Sequence, residues 1–231
     1  MIPFKPLEKV TDYQSMLRRI VVFTILAGCL SVWLLRTYSP SVDGLLGKLD
    51  FDVELPYLKK VNVLGYLLPA IAFGIFAYSI RLHDKISDLL RIRHTFDTRI
   101  ILRRFCDELG VKDHKRVYAN RHRAMKLAFY KYASSTDPKI DKHNIFEALD
   151  NWAWFWVLVE FWFVIAVTGI ALIFLNSLSI GLIVFALATG IFLLLAPLYL
   201  FQCKKYAVVQ IDDILDLPSA RDEITKGLNA L

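Results

Sequence analysis

Glu160 is the only charged residue within the apolar blocks of this chain, with Trp-Ala-Trp-Phe-Trp-Val-Leu-Val before it and Phe-Trp-Phe-Val after it. A carboxylate at membrane depth costs several kcal/mol unless it is protonated, paired or hydrated. Its position therefore points to a bundle interior, an interface or a water path. One reading makes Glu160 a pore-lining or proton-sensitive residue. The other satisfies it with a neighbouring hydroxyl or at the headgroup boundary.

A second group is cationic. Arg91, Arg93, Arg99, Arg103, Arg104, Lys115, Arg116, Arg121, Arg123 and Lys126 form a basic stretch that Asp97, Asp107, Glu108 and Asp113 only partly balance. Such a stretch can hold a loop on one side of a membrane, bind anionic lipid, or bind a polyanion such as RNA, DNA or a nucleotide. Tyr118, Phe129, Tyr130 and Tyr132 lie nearby, without an RNP, KH or helix-turn-helix signature.

All five histidines, His83, His94, His114, His122 and His143, fall between Arg81 and Asn151, and none forms a His-Glu-x-x-His site. Cys29, Cys106 and Cys203 have no paired spacing. Neither a metal site nor a disulfide framework is expected. With no Gly-rich phosphate loop and no Gly-x-Ser-x-Gly elbow, the chain reads as cofactor-free and not an enzyme. One segment offers an exception. Arg116-Val117-Tyr118-Ala119-Asn120-Arg121-His122 resembles the Arg-x5-His pattern of HEPN-type ribonucleases. That resemblance implies Arg116 and His122 as a catalytic pair working on RNA at a dimer interface. Val117 departs from it, because a polar residue is usual after the Arg.

The elements that must position these residues are membrane spans. The chain has 231 residues, 56% of them hydrophobic, and its 22% charged residues are segregated from the apolar blocks. A mean hydropathy of +0.44 is too apolar for an ordinary soluble domain. Four spans are expected: about 17–35, 61–80, 152–175 and 180–203. The sixteen uncharged residues from Ile20 to Leu35 cover about 24 Å, so Met16, Leu17 and snorkelling arginines must complete that crossing. Pro69 falls mid-span in the second. Asn176-Ser177-Leu178-Ser179 turns the last two into a tight hairpin. Trp152, Trp154, Trp156 and Trp162 read as interfacial anchors. Ala70 with Gly74, and Ala186 with Gly190, have the small-residue spacing that permits close helix approach.

Charge orients the spans. Residues 81–151 hold sixteen Lys and Arg, the N-terminal tail four and the C-terminal tail four, whereas the segment from Arg36 to Lys60 holds four and the hairpin tip none. The positive-inside rule then places both termini and the basic region in the cytosol. The absence of a cleavage site after the first span makes it a retained insertion signal.

The expected layout is all-α. Residues 1–80 carry the N-terminal tail and two spans, 81–151 a basic helical hairpin, 152–203 the span hairpin and 204–231 a tail. The second span should continue unbroken to Gly110 as one helix, followed by a helix from Asp113 to Ser134 with Tyr118, Met125, Phe129 and Tyr132 on one face. Asn144 with Glu147 reads as an N-cap pair before the third span, and a short helix is expected from Ser219 to Ala230.

On the hydrophobic hairpin, Glu160 and the basic loop, the chain resembles the small multi-spanning membrane effectors of bacterial anti-phage defence. That resemblance implies an inner-membrane protein that perturbs or permeabilises the bilayer under control of a cytosolic regulatory protein or nucleic acid. It also implies a homo-oligomer or a larger complex. The competing classes are an accessory or assembly subunit of a transport complex, and a membrane-tethered nucleic-acid-binding protein or ribonuclease.

Overall fold

A computed structural model describes residues 7–49, 53–55, 58–61, 64–175 and 177–231. Part of the N-terminal tail, Asn176 of the hairpin turn, and Asn62 and Val63 of the second span lie outside the described residues. The described residues are mainly helical, the short α2 (Pro40–Leu46) included, with a short antiparallel hairpin of β1 (Val53–Leu55) and β2 (Leu58–Val61). Among the described residues three helices are long and apolar enough to cross a membrane: α1 (Tyr13–Tyr38), α9 (Lys142–Phe174) and α10 (Leu178–Leu215). A fourth crossing is available if α3 (Leu64–Ser79) and α4 (Leu82–Leu89), bent by 60° between Ser79 and Leu82, count as one broken span.

That bend corrects the expectation of an unbroken second helix. Ser79 ends α3, and Arg81 takes the left-handed conformation at φ 52°. Arg91 repeats the device at φ 53°, ending α4 before α5 (Ile92–Phe96). Glycine normally occupies such positions, and no Gly or Pro lies between Arg81 and Leu109 to signal either break. From Ile92 the helix runs on through a π-helical turn (Asp97–Leu102) and α6 (Arg103–Leu109). It stops at Gly110, whose φ of 66° is the expected left-handed cap.

The chain divides into two compact units. Among the described residues the apolar unit comprises residues 17–83 and 155–197. Here the order of contacts fixes helix direction. Gly28 faces Ala70 and Gly74 faces Ile25, so α1 and α3 run antiparallel. Thr24 bonds Glu160 and Ser31 bonds Thr168, so α1 and α9 run parallel. Trp162 stacks on Phe192 at 4.5 Å and Gly169 meets Gly181, so α9 and α10 form an antiparallel hairpin. Only 6% of the most apolar stretch of α10 is buried, against 50% for α9, so α10 presents most of its surface outward. Phe155 and Trp156, each 3% exposed, pack inward, which corrects the anchor reading for Trp156. Arg19, expected to snorkel, is likewise buried at 3% exposure.

The Gly169–Gly181 crossing is tight enough to test. A Cβ on Gly181 would lie 2.6 Å from the Gly169 carbonyl oxygen and 2.8 Å from the Ile173 amide nitrogen, backbone atoms that cannot step aside. We expect Gly181→Ala to cost about 1–3 kcal/mol, seen as a lower thermal midpoint in detergent. Gly190→Ala, with nothing within 4 Å, should be silent. An unchanged midpoint for Gly181→Ala would contradict this packing.

The second unit, residues 7–16, 84–154 and 198–231, has a core of its own, with Leu102, Phe105, Met125, Ile211 and Ile224 all within 1% exposure. Asp113 caps α7 (His114–Ala119), its side chain accepting from the Arg116 amide at 3.0 Å. After α8 (Arg121–Met125), a second π-helical turn ends at Tyr130, short of the expected Ser134. Val117, Ala124, Met125, Ala128 and Tyr132 form its buried face, while Tyr118 and Phe129 are half-exposed. Asp141, rather than Asn144, starts α9, accepting from the His143 amide at 2.8 Å. Asn144 lies inside the helix and donates to Asp213 at 2.8 Å. The expected C-terminal helix is α11 (Pro218–Asn229).

Candidate functional site

The Glu160 site is assembled in the apolar unit by three helical segments. Its carboxylate is 3% exposed, and Oε2 accepts from Thr24 Oγ1 at 2.5 Å. Thr24 Oγ1 also stands 2.9 Å from the Ile20 carbonyl oxygen, the helix's own i−4 acceptor, which anchors the hydroxyl. The other carboxylate oxygen, Oε1, lies 3.5 Å from His83 Nδ1. That separation is long for a hydrogen bond but close enough for strong attraction if the ring is protonated. The His83 ring meets Trp156 edge-on, with centroids 6.2 Å apart.

His83 reaches this place because of the break at Arg81. Two residues past the left-handed turn, it lies at the start of α4 and is 4% exposed. A narrow cavity of about 10 Å³ opens beside the carboxylate, lined among others by Thr24, Gly74, Tyr78 and His83. That volume is about one water molecule. The carboxylate thus has a hydroxyl donor, an imidazole and space for one water, the kinds of partner a carboxylate buried from water needs. Glu160 takes the hydroxyl-satisfied alternative of the sequence reading, with an imidazole added.

Thr24 and His83 were not singled out from the sequence. Thr24 had a usable signal, because Thr24 and Ser31 share one face of α1 as Glu160 and Thr168 share one face of α9. Thr168 Oγ1 is 2.8 Å from Ser31 Oγ. These two polar pairs set the register of the helices. His83 had none, since its partner is 77 positions away and the intervening turn carries no glycine.

The basic residues behave differently. Four of the ten are neutralised inside the second unit: Arg93 by Asp84 at 3.0 Å, Arg103 by Asp107 at 3.6 Å, Arg104 by Asp212 at 2.7 Å and Arg121 by Asp97 at 2.7 Å. Asp97 and Asp107 thus supply part of the balance, and Asp84 and Asp212 add to it. Among the described residues Arg91, Arg99, Lys115, Arg116, Arg123 and Lys126 make no ion pair, and all six are exposed. Burial pushes the Asp97 carboxyl up to about 6, against the pull of Arg121 and Arg93. Arg116 and His122 are both exposed and separated by the helix break at Asn120. His122 Nε2 instead lies 3.0 Å from Arg121 Nη2.

The described residues contain no group of three or more His, Cys, Asp or Glu arranged to hold a metal ion. No curated protein and no solved structure matches this chain. One family model does, over residues 12–226, which covers every span, the Glu160 site and the basic region. The chain belongs to the YmfE protein family.

Proposed function

We propose that this chain is a four-span protein of the bacterial inner membrane that perturbs or permeabilises the bilayer under control of a cytosolic partner, in the manner of the anti-phage membrane effectors it resembles. The observation that carries the reading is the enclosed contact of Glu160 with Thr24 and His83. Residues of α1, α4 and α9 meet at a carboxylate held at membrane depth. While the helices stay together the charge is satisfied. If they part, water must enter to solvate it, and an acidic group in a hydrated interior favours cations. The satisfied carboxylate favours the closed bundle without locking it, and a cytosolic partner held on the basic region keeps it closed; the chain alone opens.

The alternating helix directions support four crossings with the bent α3–α4 pair as the second. The charge distribution supports cytosolic termini. Reporter fusions at Thr136 and Leu231 should read cytosolic and one at Lys48 external. An external Thr136 would overturn the orientation.

The reading is tested by inducing the chain alone and following a membrane-potential dye together with growth. Depolarisation and growth arrest are expected. If induction leaves both untouched, the accessory-subunit reading takes its place. That second reading draws support from the outward face of α10, which needs lipid, another copy or a larger complex to cover it. The nucleic-acid reading is supported by the six exposed, unpaired cations, and the ribonuclease form of it gains nothing from the placement of Arg116 and His122.

A further inference from the structure

We propose that the cleft formed by α4, the Arg91 turn, α5 and α8 binds a phosphate group carried on a hydroxyl-bearing moiety, as a phosphoglycerol headgroup or a nucleotide presents it. The cleft has a volume of about 390 Å³ and is lined by Ser87, Asp88, Arg91, His94 and Arg121. That is the size of a small-ligand pocket.

Its cationic groups are prepared to different degrees. Arg121 is fixed: Nη1 lies 2.7 Å from buried Asp97, Nη2 lies 3.0 Å from His122, and the side chain is 15% exposed. A guanidinium held in one rotamer loses little entropy when an oxyanion docks on its remaining donors. Arg91 is exposed and makes no ion pair, and its backbone is held left-handed at φ 53°, ψ 29°. A non-glycine residue in that region is unusual, and such outliers concentrate at ligand sites. His94, exposed on the next turn, adds a third possible donor.

Asp88 sets the ligand class. Asp97 lies buried behind Arg121, so Asp88 is the carboxylate among the lining residues, and it disfavours a bare anion. A carboxylate beside two guanidiniums suits a ligand whose phosphate meets the arginines while a hydroxyl donates to the acid. Ribose and glycerol both supply such a hydroxyl.

The test uses the full-length chain in phosphatidylcholine nanodiscs at about 150 mM salt, where diffuse surface attraction is screened. One arm titrates glycerol 3-phosphate and adenosine monophosphate from solution, and the other replaces part of the lipid with phosphatidylglycerol. Binding in either arm supports the site, and the arm in which it occurs identifies the source. Arg91→Asn removes the guanidinium, and Asn tolerates the left-handed backbone, so the fold should survive. It should weaken binding about tenfold, as expected for loss of a charge-assisted contact. Arg99→Gln removes an equal charge outside the cleft and should change binding less than about twofold. Asp88→Asn should weaken glycerol 3-phosphate relative to inorganic phosphate. Equal losses for Arg91→Asn and Arg99→Gln, or no binding in either arm, would overturn the proposal.

Discussion

Thr24→Val and His83→Ala are each expected to increase the depolarisation caused by the chain, whereas Glu160→Leu is expected to suppress it, at matched membrane levels. The opposite signs follow from what each change leaves behind. Removing a partner strands a buried carboxylate, and breaking a buried pair in this way costs about 3–5 kcal/mol in proteins generally. Interhelical hydrogen bonds in bilayers average less, about 0.6 kcal/mol with a maximum near 1.7. Even a loss of about 1.4 kcal/mol from the closed bundle multiplies the open population about tenfold. The Thr24 contact at 2.5 Å is the shorter of the two and His83 stands off at 3.5 Å, so Thr24→Val should have the larger effect. Glu160→Leu removes the charge itself, and replacing a buried ionic group with an apolar one is often neutral or stabilising. It also removes the group that would draw cations into an opened interior. Glu160→Gln should fall between, since it can still accept from Thr24 but no longer carries a charge beside His83. If all four variants shift depolarisation in one direction, the site acts through packing alone.

The second unit should be most stable in mild acid. Burial raises the Asp97 carboxyl from its ordinary 3.8 to about 6, so the folded chain takes up this proton at higher pH than the unfolded chain does. Between those two values the folded state binds more protons, and its stability falls as pH rises through the window. The contribution levels off above about 6, where both states are ionised, and below about 4, where both are protonated. Two pKa units correspond to about 3 kcal/mol at most. Tryptophan fluorescence of Trp152 and Trp154 during unfolding in detergent would follow this change. Asp97→Asn should flatten the profile. Arg121→Ala should cost about 3–5 kcal/mol near neutral pH and less at pH 5, where the protonated acid no longer needs a cation. A wild-type stability that rises from pH 4 to 6 would contradict the burial of Asp97 as described.

How much of this was legible beforehand depended on the range of the physics involved. Hydropathy is local, so the three long apolar helices, the antiparallel pairing of the last two, the Gly110 stop and the C-terminal helix could be read from the chain. The spans extend beyond their apolar cores. Thus α9 begins at Lys142 and α10 runs past Lys204 and Lys205 to Leu215, because a helix does not stop where the hydrocarbon does. The breaks at Arg81 and Arg91 were illegible, since each places a long cationic side chain where glycine is the usual signal. His83 depended on the first of these breaks. Glu160 finds partners, as a lone carboxylate in an apolar block must. Which partners it finds depends on how α1 registers against α9, and that register was written only faintly, in Thr24 and Ser31. Small-residue spacing was a mixed guide. Ala70 and Gly74 do pack against α1, Gly190 faces open space, and the crossing where backbone meets backbone uses Gly169 and Gly181, which no four-residue motif flagged.

The most direct measurement reconstitutes the full-length chain into liposomes that hold a potassium-diffusion potential reported by a dye. With no other protein present, wild type should collapse the potential, Thr24→Val should collapse it faster, and Glu160→Leu should leave it standing. Liposomes containing wild type that hold their potential as long as protein-free ones, with the protein verified as inserted and folded, would contradict the proposal that this bundle opens the membrane.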